Sequence, residues 1–337
     1  MTKSTPRLPE LPELPELSQL PQLSSGPLSR RQALALLAGT GATLGLAACS
    51  SSGDASSKLG GGATASASSS AYEAIITSAP KADDATISGN AWAKAIKDRG
   101  TLRWGGTDAN PLFSLLDPTT GKTQGFDAGM VQMLAQYIVG DSTKWAMTQV
   151  TVDTRETLIE NNSVDVVVAT YSITPKRADK VAFAGPYYAS GSSIMVKADN
   201  TTITKVDDLV GKNVITESNS TAITALKAHV PSVQPILFTE NAQCVAALKQ
   251  GRGDAYVLDQ SILLSTAVKD TSVKVVGEPF STDSYGIGCS KSTPDAKAFI
   301  NAWLKTMEDA GLWEKLWAAT VGTVLKSTNT KPPAIAA

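Results

Sequence analysis

Four short segments place ionisable side chains beside backbone groups that bind anions or cations. Thr174-Pro175-Lys176-Arg177 reads as a helix start, with Thr174 as N-cap and Pro175 at the first helical position. Arg177 then stands in the first turn, where a cation opposes the helix macrodipole and so has a task other than stabilising the helix. Exposed N–H groups beside a guanidinium, which grips carboxylates through two parallel hydrogen bonds, form a carboxylate clamp. Asp153-Thr154-Arg155-Glu156 reads as a capping box, Asp153 at N-cap and Glu156 at N3, and again leaves a cation in a first turn. Ser220-Thr221, ahead of a helix over 222–228, is a further helix-start anion site. Asp259 ends the strand 256–258, at the carboxyl edge where α/β sheets bind ligands. Each has a plainer reading beside it: a solvated Arg177, an Arg155 packed on the surface against Glu160, an Asp259 that caps the next helix.

Other chemistries lack their residues. The chain has one histidine, His229, read as a solvated residue near a helix end, and three cysteines, Cys49, Cys244 and Cys289. A zinc site or a histidine-based triad has nothing to stand on, and no cofactor, metal or catalytic residue is expected. No phosphate-binding Walker motif is present. With a net charge of −1 and 42% hydrophobic residues, the chain carries no basic field for nucleic acid. Its partner is a small molecule or a protein.

The first 28 residues are rich in Leu, Pro and Glu and show no hydrophobic period. Then Ser29-Arg30-Arg31 precedes a charge-free run of Ala, Leu, Gly and Thr that stops at Cys49. The run is too short and glycine-diluted for a spanning helix, and has the layout of a signal peptide. The arginine pair resembles the twin-arginine export signal, and Leu46-Ala47-Ala48-Cys49 resembles the lipobox whose cysteine receives a diacylglycerol. Residues 1–49 are thus expected to be a lipoprotein signal, and the Ser/Ala/Gly-rich residues 50–85 a flexible tether. Outside the cell Cys244 and Cys289 either pair or stay buried as free thiols.

Beyond the tether, strand and helix patterns alternate, which predicts an α/β fold. A helix over 91–98 leads into a strand over 101–104. Phe126, Met130, Leu134, Tyr137 and Ile138 recur at helical spacing. Residues 164–170 form a nearly continuous apolar run, as a strand buried on both faces does. A second set of elements begins near Thr202 and ends near 273–276. A long helix starts at Thr293-Pro294, with one apolar face from Phe299 to Met307. These elements fit either one large sheet or two lobes.

Across residues 95–322 the ordered motifs Thr107-Asp108, Gly125-Phe126-Asp127, Val164-Asp165, Ser172-Ile173-Thr174-Pro175-Lys176-Arg177, Pro186-Tyr187-Tyr188, Ser220-Thr221, Gly251-Arg252-Gly253-Asp254-Ala255 and Asp259 resemble the polar amino-acid substrate-binding proteins of ABC importers, particularly the glutamate-binding type. The resemblance implies the periplasmic-binding-protein-like II fold, two α/β lobes joined by two hinge strands. Lobe 1 is then 86–197 and 281–337, lobe 2 the inserted 198–280, with hinges near 195–199 and 278–283. In the family the residue matching Arg177 holds the ligand α-carboxylate, those matching Thr170 and Ser172 accept or share the ammonium and carboxylate bonds, and that matching Asp259 pairs with the ammonium. Such pairing is required because a buried unpaired charge costs several kcal/mol. Asp108 lines the pocket or caps a turn. Glutamate-binding relatives carry an arginine at the spacing of Arg155, ten residues before Asp165; one charge-assisted pair of ~1.5–3 kcal/mol favours glutamate over glutamine roughly ten- to a hundredfold. Asn219 replaces a usual Gly, a substitution that the left-handed tolerance of Asn accommodates. Trp104-Gly105-Gly106 departs from the usual small aliphatics, and its indole either fills the core or narrows the pocket.

These readings predict a monomeric, extracytoplasmic receptor, lipid-anchored to the outer face of the membrane through Cys49, that delivers a small polar amino acid, glutamate first, to an ABC permease. The rivals are a secreted enzyme on the same scaffold, similar to cyclohexadienyl dehydratase and with Glu217 as its one candidate general acid, and a sensory subunit.

Overall fold

The strands form two five-stranded sheets of the same plan and a small three-stranded one, Ala109–Asn110, Ser114–Leu116 and Thr123–Gln124. A computed structural model describes residues 62–325 and 331–335; the expected export signal, Cys49 and residues 50–61 lie outside them. The first sheet runs in the order Trp145–Gln149, Leu102–Gly106, Val166–Val167, Asp283–Cys289, Ala182–Ser190. The second runs Ile236–Phe238, Val214–Glu217, Ala255–Asp259, Ser192–Lys197, Val273–Val276. In each, three parallel strands are followed by two antiparallel ones. Parallel strands share a carboxyl edge, and there side chains can converge without interrupting a ladder.

The first lobe has the heavier core. Trp104, Phe113, Phe126, Tyr187, Tyr188, Tyr285, Trp303 and Trp313 are all fully buried in it. Trp104 belongs to this core: its Nε1 donates to the Val168 carbonyl at 2.9 Å, and its ring meets Trp145 edge-on. Gly106 follows from that indole, because a Cβ there would sit 2.3 Å from the ring. Of the apolar run over 164–170, only Val166–Val167 joins the ladder, though residues 164–169 are all buried. In the second lobe the sheet is thinner and covered on both faces. Ile194, Val196, Val214 and Val257 pack one way, and Met195, Ile215, Tyr256 and Leu258 the other, the period of two expected of strands.

Two boundaries differ from the sequence expectation. The tether placed over 50–85 is helical over Gly62–Thr77 and Asp84–Ser88. Tyr72 and Ile76 are buried in the first lobe's core, and the Tyr72 hydroxyl bonds the Gly125 carbonyl and the Gln132 amide oxygen. A Ser/Ala-rich composition reads as linker, but alanine is also the best helix former, and an apolar pair one turn apart is enough to dock it.

The first crossing between sheets is at Gly191, not at 195–199: Ala182–Ser190 belongs to the first sheet and Ser192–Lys197 to the second. The period of a strand says nothing about which sheet receives it. The chain returns between Val276 and Asp283. Ser192 N–H donates to Ser281 Oγ and Phe280 N–H to the Ser192 carbonyl, both at 2.8 Å, so the crossings run side by side. Their approach is so close that a Cβ at Gly191 would stand 1.9 Å from the Ser281 carbonyl oxygen.

Candidate functional site

A cavity of about 450 Å³ lies between the lobes, lined by residues at or just beyond the carboxyl ends of all six parallel strands. That volume falls in the range of small-molecule sites. All eight residues singled out as ligand-binding line it: Asp108, Arg155, Thr170, Ser172 and Arg177 from the first lobe, Ser220, Thr221 and Asp259 from the second.

Arg177 is placed by a short helix, Pro175–Ala178, whose N-cap Thr174 accepts from the Arg177 N–H. Its Nη1 donates to the Ser172 carbonyl at 2.8 Å, and its Nη2 to the Asn219 carbonyl of the other lobe at 3.1 Å. Glu156 Oε1 lies 3.9 Å from its Nε and pairs more closely with Lys180. Burial lowers the pKa of Arg177, opposed by Tyr171 and by carboxylates that include Asp259.

Arg155 does not pack on the surface against Glu160. It is 5% exposed, with its guanidinium carbon 3.9 Å from the centre of the Tyr171 ring and Nη1 on the Ala169 carbonyl. Its Nε is buried and has no hydrogen-bond partner among the described residues. Burial first, and the neighbouring Arg177 second, bring its pKa down to about 10. The expected capping box is absent. Thr154 is the N-cap, without a side-chain bond, and the Asp153 carboxylate reaches across the cleft to Ser218 Oγ and Asn219 Nδ2 instead. A partner in the other lobe is invisible to local spacing.

Asp259 occupies the N-cap position of helix Gln260–Ala267, yet its side chain makes no cap bond. It is 5% exposed, and its Oδ1 is buried without a partner among the described residues. Burial, reinforced by Asp283, pushes its pKa up to about 7. An unpaired buried carboxylate oxygen in a cavity is a demand for a donor. Ser220 likewise leaves its helix uncapped, bonding the Glu217 carbonyl at 2.8 Å. Asn219 adopts φ 55°, the left-handed turn that brings Ser220 and Thr221 to the cavity wall.

Two contributors escaped the sequence reading. Glu217, noted there only as an enzyme's candidate acid, is a 7%-exposed cavity wall whose pKa burial raises to about 7, against the pull of Arg155. Asp127 is fully enclosed in the first lobe and accepts from the Thr170 N–H at 2.8 Å and the Tyr187 hydroxyl at 2.6 Å. It holds Thr170 at φ 45°, an outlier for a β-branched residue that costs ~1–3 kcal/mol elsewhere. Its burial within Gly125-Phe126-Asp127, just before an apolar helix face, was the available signal. The second lobe also touches the first at Ser265, which accepts from the Leu112 N–H at 2.9 Å and bonds Asn110.

The remaining candidates lie elsewhere. His229 is exposed and meets only the edge of Phe280 among the described rings. Cys244 and Cys289 are both free and buried, in different lobes, and burial raises each thiol to about 12. Tyr188 is core, and Tyr171 is a buried platform beneath the two arginines.

With this geometry in hand, residues 102–322 match the model of the bacterial extracellular solute-binding proteins, family 3. The chain belongs to that family. Its fold is the periplasmic-binding-protein-like II fold, two α/β lobes joined by two hinge strands. This family 3 protein is 36% identical over 209 residues to the glutamine-binding protein of Geobacillus stearothermophilus, covering 62% of this chain and 79% of the relative. It is 32% identical over 241 residues to the glutamate-binding protein GluB of Corynebacterium efficiens, covering 68% of this chain and 81% of that one. Among solved structures it is similar to the ancestral amino acid-binding protein AncCDT-1, a precursor of cyclohexadienyl dehydratase, with a TM-score of 0.60 and 30% identity over 67% of this chain and 97% of that chain. No helix among the described residues is long and apolar enough to cross a membrane.

Proposed function

We propose that this family 3 protein is the extracytoplasmic receptor of an ABC importer for a polar α-amino acid, held as a zwitterion between the lobes. The observation that carries the reading is the placement of opposite charges: Arg177 from the first lobe and, from the second, the Asp259 oxygen that has no partner among the described residues line one cavity. Arg177 with Ser172 and Thr170 takes the α-carboxylate, Asp259 the ammonium, and the start of helix Thr221–His229 adds N–H donors to the anion end. Asp108 borders the same space. Arg155 supplies a donor for the ligand side chain, which gives glutamate and glutamine as the candidates; Arg155 taken alone favours glutamate.

Ligand that bridges the lobes stabilises the closed arrangement, and a permease distinguishes it from the open one. A diacylglycerol on Cys49, after twin-arginine export, holds the receptor at the outer face of the membrane. Screening the purified protein against the twenty amino acids by thermal shift tests the reading, because a ligand at a hundred times its Kd stabilises by ~2.7 kcal/mol. A rise with one or a few polar amino acids is expected. No rise with any of them refutes the assignment.

One observation keeps a second reading open. Glu217 is a buried cavity carboxyl with a pKa near 7, suited to general-acid work. Depletion of prephenate or arogenate on incubation supports a dehydratase; recovery of unchanged ligand supports the receptor.

A further inference from the structure

The cavity wall presents two incompletely satisfied groups of opposite kind. Arg155, from the first lobe, has one donor on the Ala169 carbonyl and a buried Nε–H with no partner among the described residues. Glu217, at the end of strand Val214–Glu217 in the second lobe, lines the same space. Among the described residues its carboxylate receives one long side-chain hydrogen bond, from Tyr256 Oη at 3.5 Å to Oε1, and that hydroxyl lies nearer to Asn241 Oδ1 at 3.1 Å, which leaves Glu217 with acceptor capacity to spare. Neither Arg155 nor Glu217 has an ion-pair partner within 4.0 Å among the described residues, so they do not neutralise each other directly. From opposite lobes they supply a donor and an acceptor to one cavity, each with capacity to spare.

We infer that Arg155 and Glu217 together read the end of the ligand side chain and select a carboxamide over a carboxylate, so that L-glutamine is preferred to L-glutamate. The inference rests on the amino-acid receptor reading above and names the discriminating residue within it. A carboxamide offers a carbonyl oxygen to Arg155 and an NH2 donor to Glu217 at the same time. A carboxylate satisfies Arg155 but sets a second anion against a buried carboxylate. A guanidinium or ammonium satisfies Glu217 but meets a buried cation. Once Glu217 and Asp259 are ionised, charge balance agrees: the two buried arginines and two buried carboxylates of the cavity cancel, a zwitterion with a neutral side chain preserves that balance, and glutamate leaves one uncompensated negative charge.

Titration calorimetry of L-glutamine and L-glutamate at pH 8, above the raised pKa of Glu217, on the native protein and on Glu217→Gln, tests this. The native protein should bind glutamine at least about tenfold more tightly, the scale of one charge-assisted hydrogen bond. Glu217→Gln, whose amide can donate to a ligand carboxylate, should shrink that ratio about tenfold or reverse it. If that variant does not melt cooperatively, Glu217→Asp, which withdraws the charge by one methylene, should shrink the ratio in the same direction. A native ratio near one or in favour of glutamate overturns the inference, as does an equal loss of both ligands in the variant. Binding of some other amino acid but neither of these two overturns it while leaving the receptor reading intact; binding of none removes both.

Discussion

The two lobes share a sheet plan but divide the charges between them. Both buried arginines of the cavity, Arg155 and Arg177, come from the first lobe; both buried carboxylates, Glu217 and Asp259, come from the second. Neither set is comfortable alone. Arg177 is the second-largest cause of the lowered pKa of Arg155, and Asp259 adds to the raised pKa of Glu217. On the receptor reading proposed above, closing the cleft would bring each like-charged pair toward its opposite, and a zwitterion would fill the remaining gap. The lobes differ in build as well. The first lobe stacks its guanidiniums on Tyr171, in a small cluster beside the large aromatic core on which helix Gly62–Thr77 docks, whereas the second lobe carries its groups on strand ends and helix starts. The division teaches that specificity in this protein is a property of the closed pair and of neither half.

Removing a cation breaks the comparison most severely. Arg177→Ala deletes the clamp for the α-carboxylate together with a direct bond to the Asn219 carbonyl of the opposite lobe. Two charge-assisted hydrogen bonds of ~1.5–3 kcal/mol each set the expected loss at a hundredfold or more in affinity, measured by calorimetry. Affinity within a fewfold of native would show that the first lobe's cations do not hold the ligand.

Acidity sharpens the comparison from the second lobe's side. Asp259, Glu217 and, in the first lobe, Asp127 are all raised to about 7, each by burial first. A folded pKa above the unfolded one means that the native state binds more protons between about pH 4 and 7. The contribution of these groups is therefore fully present below about pH 4 and is lost as pH rises through 7. The ligand-free protein should melt higher at pH 5.5 than at pH 8.5, and Asp259→Asn should flatten that slope. Ligand binding should run the opposite way, tightening from pH 5.5 to 8 as Asp259 ionises to meet the ammonium. Affinity independent of pH in this window would remove Asp259 as the ammonium partner.

The smallest effect belongs to the polar ties at the cleft rim. Asp153→Ala removes the bonds to Ser218 and Asn219, which are exposed and so contribute little each. A two- to fivefold loss of affinity is expected, with the glutamine-to-glutamate ratio unchanged, since Asp153 caps the cleft without touching the side-chain end.

Much of this site was legible because its residues announce themselves locally. Thr174-Pro175 ahead of Arg177, and Asp259 at a strand end, are patterns of helix starts and sheet edges that act over a few residues. The ordered motifs over 95–322 then identified two lobes where periodicity alone allowed one sheet or two. What was misread depended on distance. Asp153 read as a local cap and turned out to span the cleft, and residues 192–197 read correctly as a strand but were assigned to the wrong sheet. The Ser/Ala-rich stretch read as tether because composition does not reveal that Tyr72 and Ile76 find a core to enter. Glu217 read only as the candidate general acid of a rival enzyme, beside the second-lobe anion loop, and not as part of a ligand site.

By itself, then, the sequence determined the alternation of elements, the helix-start and strand-end positions of Arg155, Arg177, Ser220 and Asp259, and the scarcity of histidine and cysteine, because each follows from backbone geometry within a turn or two or from simple composition. Only the tertiary structure decided that two arginines and two carboxylates share one cavity, that Arg155 lies buried on Tyr171 and that Glu217 lines the same space from the other lobe. Those facts arise where two separately folded sheets close on each other, and burial and charge pairing across that gap are set by contacts between residues some 60 positions apart.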